Sequence, residues 1–161
     1  MSDLVILDEC TTTGGENPLP FLILDSDPEE YDRVVAFANL GALNRLCNSD
    51  TWHIDGTFYI APHLFKQLCV IRAEIGDSAV SCVYTLVTGR HQELYKKLQQ
   101  VVTNECSERK LFPDPTAVVT DFEKASLQAV TNYTTQNTGD RFRNLASMPI
   151  VSLQTSRSLS A

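Results

Sequence analysis

Trp52-His53-Ile54-Asp55-Gly56-Thr57-Phe58-Tyr59-Ile60 is a run of β-branched and aromatic residues broken by one carboxylate. A second run, Val118-Val119-Thr120-Asp121-Phe122-Glu123-Lys124, repeats the arrangement with Asp121, 66 residues after Asp55. Such runs read as buried strands, and a strand of that kind seldom carries a charge without compensation. A carboxylate in a water-poor sheet loses solvation, so it needs a cation, a set of donors or a metal beside it. Each aspartate also has a plainer reading. Asp55-Gly56 between hydrophobic residues is a strong hairpin-turn signal, which would put Asp55 at a solvated tip. Asp121 could simply cap a following helix.

Outward from these runs, Ala61-Pro62-His63, Gly76-Asp77-Ser78 and Thr88-Gly89 punctuate residues 51–89 into three strands. Their connections are short, which implies antiparallel pairing. With turns at Ala61-Pro62 and Gly76-Asp77, the hairpin-tip reading of Asp55 weakens. From Arg90 to Arg109 the period lengthens, and Leu94, Tyr95, Leu98, Val101, Val102 and Cys106 trace one face of an amphipathic helix ended by Pro113 and Pro115. Thr116 to Phe122 then predicts a strand and Glu123 to Tyr133 a helix, with Ala125, Ala129, Val130 and Tyr133 inward.

Upstream, residues 1–20 read as an irregular, acidic lead. Residues 21–50 hold short strands at Phe21–Leu24 and Arg33–Phe37, then a helix capped by Asn39 with Leu40, Leu43 and Leu46 on its face. The core is expected over 51–138, and residues 139–161 form a serine-rich tail of weak periodicity.

The chain has 161 residues, 43% of them apolar and 20% charged, which suits one globular domain with a proper core. Its net charge of −7 is uneven: residues 1–50 hold ten acids against Arg33 and Arg45, whereas the remainder is near neutral. No broad cationic surface exists to hold nucleic acid by counterion release. No apolar run spans a bilayer and the first residues lack a secretory pattern, so a soluble intracellular protein without membrane contact is expected. The five cysteines, Cys10, Cys47, Cys69, Cys82 and Cys106, are widely spaced and contain no Cys-x-x-Cys. They signal neither a disulfide framework nor a zinc site, and read as reduced, small hydrophobic residues.

Three antiparallel strands, a crossover helix and a parallel fourth strand predict an α/β chain with a mixed sheet and flanking helices. That is the beginning of a ribonuclease H-like fold, in which the first strand is central and the fourth lies beside it, so that Asp55 and Asp121 become neighbours. Two carboxylates so placed suit Mg²⁺, which takes oxygen ligands and is commonly held by one or two acids. The fourth strand would be an exposed apolar edge unless residues 140 to 150 or a protein partner covered it.

Asp55-Gly56-Thr57-Phe58, Pro62-His63-Leu64-Phe65-Lys66-Gln67-Leu68, Val83-Tyr84-Thr85-Leu86 and Thr120-Asp121-Phe122-Glu123-Lys124-Ala125, in this order and spacing, resemble the transposase domain of Mutator-like elements, the MULE transposases. The resemblance runs from about residue 21 to about residue 135. It implies a partial ribonuclease H-like core of the Asp-Asp-Glu type that cuts and joins DNA with Mg²⁺ or Mn²⁺ in the nucleus, with Asp55 and Asp121 as first and second catalytic, metal-binding acids. The family continues with a fifth strand, a Cys/His-containing segment, further helices and a late glutamate. After Asp121 the only acids here are Glu123 and Asp140, and neither matches that glutamate. The expectation is a core interrupted after its second acid, with weak metal binding and little or no activity. A non-enzymatic, transposase-derived module that binds a protein partner is the alternative, and a product with no selected role is the third.

Overall fold

The computed structural model describes residues 5–26, 31–57, 61–89, 92–120 and 150–152. Strands β1 (Leu22–Asp25) and β2 (Val34–Phe37) come first, followed by helix α1 (Leu40–Cys47) and strands β3 (Thr51–Thr57), β4 (Gln67–Ile75) and β5 (Ser78–Val87). Helix α2 (Gln92–Glu108) and strands β6 (Ala117–Thr120) and β7 (Ile150–Ser152) complete the order. All seven strands form one sheet in the order β1-β2-β5-β4-β3-β6-β7. From β1 to β3 every pairing is antiparallel, whereas β3 with β6 and β6 with β7 are parallel. The chain is therefore α/β with a mixed sheet, and the lead strands extend the sheet that holds the three central ones.

Period and turn chemistry account for the central strands. Gly76 and Asp77 join β4 to β5, closed by the Ile75–Ser78 pair, and Gly76 leads the turn with φ 60°, a backbone conformation that L side chains rarely adopt. Asp55 and Gly56 do not form a turn: both lie inside β3, opposite Val70 and Cys69. The hairpin-tip reading of Asp55 is thereby excluded.

Alternation along the strands sends Trp52, Cys69, Ile71, Ala73, Val83, Val87 and Val118 into one core with Leu43 and Leu46 of α1 and Leu94, Leu98, Val102 and Cys106 of α2. Both helices thus cover the same face of the sheet. The Trp52 indole donates from Nε1 to the Leu46 carbonyl at 2.9 Å, which pins the end of α1 over β3. Asn39 caps α1 as expected, its side chain accepting from the Ala42 amide at 2.8 Å. Leu40 departs from expectation and is 59% exposed. Each three-residue step falls about 60° short of a full turn, so two steps carry Leu40 off the face that Leu46 buries.

Helix α2 stops for a local reason upstream of the prolines. Lys110 has φ 57°, the Leu111 amide donates to the Cys106 carbonyl at 2.8 Å and the Lys110 amide to that of Ser107 at 3.0 Å. This pair of bonds is a Schellman closure, with Leu111 packed against the core and a lysine where glycine is usual. The chain then runs to β6, whose register is set at its start: the Asp50 carbonyl accepts from the Thr116 and Ala117 amides at 2.7 and 3.1 Å. β7 lies against β6 through the Val118–Ile150, Val119–Val151 and Thr120–Ser152 pairs, so the tail itself covers that edge. The expected helix over 123–133, the Tyr95 side chain and residues 58–60 lie outside the described residues.

Candidate functional site

Asp55 sits near the end of β3, the strand that β4 flanks on one side and β6 on the other. Its neighbours Trp52 and Ile54 belong to the helix-covered core or pack against it, so alternation turns Asp55 to the opposite face of the sheet. There its side chain is 39% exposed and its carboxylate lies 3.8 Å from the Arg72 guanidinium. On the same ladder His53 meets Glu74 at 2.9 Å. The pairings explain this arrangement: Asp55 faces Val70 and His53 faces Arg72, so Arg72 is the diagonal neighbour of Asp55 and Glu74 that of His53. Four ionisable side chains therefore share one face of the β3–β4 ribbon, with Asp55 and Glu74 on the diagonals of a central His53–Arg72 pair.

Arg72, His53 and Glu74 were not identified from the sequence as site residues. A signal was present, since β3 places ionisable residues at 53 and 55 and β4 at 72 and 74, each pair two apart and so on one face. Only the register shows which of them meet.

The parallel ladder between β3 and β6 runs Thr51–Ala117, Trp52–Val118, His53–Val119 and Ile54–Thr120. The last described pair consists of the residues immediately before the two aspartates. Asp121 itself lies outside the described residues.

A divalent cation needs several oxygen donors. The described residues bring one carboxylate, Asp55, to this position with an arginine beside it, and no group of three His, Cys, Asp or Glu suited to a metal occurs among them. These residues alone do not complete a cation site; a second acid from the β6 side would be required. No helix among the described residues is long and apolar enough to cross a membrane. No family model, curated protein or solved structure matches this chain.

Proposed function

We propose that this chain is a MULE transposase-derived domain on a partial ribonuclease H-like fold, the remnant of a metal-dependent DNA strand-transfer core that is inactive by itself. The observation that carries the reading is the β3–β6 register, which ends on Ile54–Thr120. One further pair in that register would set Asp121 beside Asp55. The strand order β5-β4-β3-β6-β7 supports the fold, because the first hairpin strand is central, the crossover strand lies next to it and a fifth strand follows.

Asp55 and Asp121 would hold Mg²⁺ or Mn²⁺, which when bound supplies positive charge to phosphate oxygens. Within these 161 residues no acid matches the third of the triad. Arg72 opposes the cation further by offering Asp55 a charge of its own. The same contact favours a second reading, a non-enzymatic module for a protein partner, since an acid already paired with arginine needs no metal. The DNA partner and nuclear location belong to the first reading.

The test is a DNA-nicking assay across Mg²⁺ and Mn²⁺ titrations, with Asp55→Asn and Asp121→Asn alongside. The expected result is no metal-dependent nicking. Nicking that requires metal and disappears in both variants would overturn the inactive assignment.

A further inference from the structure

Cys47 is the last residue of α1 and Cys106 lies in the last turn of α2, 59 residues apart in the chain. Their sulfurs are 3.3 Å apart. We propose that Cys47 and Cys106 form an oxidative modification site, a dithiol that closes to an intramolecular disulfide when the protein meets a peroxide. All five cysteines are free thiols in the structure.

The two thiols are unequal in a way that assigns their roles. Cys47 is partly exposed, whereas Cys106 is fully buried beneath α1 and the sheet. Either thiol can donate to the other. With Cys106 donating, the Cys47 thiol is held below its ordinary pKa, against the opposing effect of its own burial. Cys106 is pushed up by the same hydrogen bond and by burial. Thiolate character and access together mark the attacking sulfur, so Cys47 meets the oxidant and Cys106 resolves.

In the first step the Cys47 thiolate attacks one oxygen of hydrogen peroxide; an S–O bond forms, the O–O bond breaks, and the departing hydroxide is protonated to water. In the second, the Cys106 sulfur attacks the Cys47 sulfenic acid; the S–S bond forms, the S–O bond breaks, and the leaving hydroxide departs as water with the Cys106 proton. Two electrons pass from the two thiols to one peroxide. Closure requires the sulfurs to approach by about 1.3 Å from their present separation. The other thiols are placed differently: Cys69 and Cys82 are buried, Cys82 donating to the Val80 carbonyl, and Cys10 lies exposed in the single 3-10 turn Asp8–Cys10.

A closed bridge would tie the end of α1 to the turn of α2 that leads through Lys110 and Leu111 toward β6. The experiment treats the full chain with hydrogen peroxide, alkylates the remaining thiols under denaturing conditions and maps the peptides by mass spectrometry. Three alkylated cysteines and a Cys47–Cys106 linked peptide are expected, reversed by a thiol reductant. The Cys47→Ser variant should keep its remaining four thiols, and the wild-type unfolding midpoint should rise by about 5 to 15 °C on oxidation. Five intact thiols after treatment, or a bridge to Cys10, Cys69 or Cys82 in place of the Cys47–Cys106 link, would each overturn the proposal.

Discussion

Arg72 provides a quantitative test of the proposed cation site. Its guanidinium stands 3.8 Å from the Asp55 carboxylate, and the two side chains are 42% and 39% exposed. At that separation two unit charges interact by about 1 kcal/mol in water and about 4 kcal/mol at the effective dielectric of a protein surface. Exposure of more than a third on both sides draws the value toward the lower figure, as for other solvated ion pairs. A cation bound by Asp55 and Asp121 must work against that charge, so replacing Arg72 by methionine, which preserves much of the stem, removes a repulsion of about 1 kcal/mol. Mn²⁺ affinity, read by the loss of the free-ion signal in electron paramagnetic resonance, is therefore expected to rise about fivefold in Arg72→Met. It should fall to background in Asp55→Asn. Unchanged or weaker binding in Arg72→Met would refute the idea that Asp55 faces the cation. Absence of binding in every variant would remove the cation site altogether.

Three further outcomes follow from the fold. Asp25 holds Arg33 through paired hydrogen bonds of 3.0 and 2.9 Å, and the arginine side chain is only 7% exposed, so Asp25→Ala is expected to cost about 3 kcal/mol in urea unfolding. A loss under 1 kcal/mol would show that the ion pair contributes little. Lys110→Gly relieves a left-handed residue at the end of α2 and is expected to add about 0.5 to 1 kcal/mol, measured as a higher denaturant midpoint at unchanged slope. The Cys69 thiol is pushed up from 9.0 to about 12 by burial, and secondarily by the Asp55 charge. Its folded pKa lies above the unfolded one, so its contribution is complete below about pH 9 and is lost as pH rises toward 12. Cys69→Val should accordingly flatten that part of the stability profile, and an unaltered slope would contradict it.

Much of the secondary structure was legible in the residues because its causes are local. Runs of β-branched and aromatic residues between turn-forming breaks mark β3, β4 and β5, Gly76-Asp77 supplies the β4–β5 hairpin, Asn39 caps α1, and a longer period marks α2. Local causes also set the limits of such reading. Leu40 shares a spacing with Leu43 and Leu46 but not their burial, because an exact step of three drifts around a helix. The prolines after α2 suggested its end, yet a left-handed Lys110 closes it first, a conformation that its side chain does not announce.

What the residues alone settled is that two aspartates interrupt strand-forming runs on either side of a crossover helix. Which face Asp55 occupies, that Arg72 stands beside it, and that β6 runs parallel to β3 with Thr120 opposite Ile54 were decided in three dimensions. The Asp50 carbonyl makes that difference concrete: its bonds to the Thr116 and Ala117 amides join residues separated by most of the core, and they fix a register that no window of neighbouring residues contains. The meeting of Cys47 with Cys106 has the same origin, since α1 and α2 come together only by burying their apolar sides against one face of the sheet.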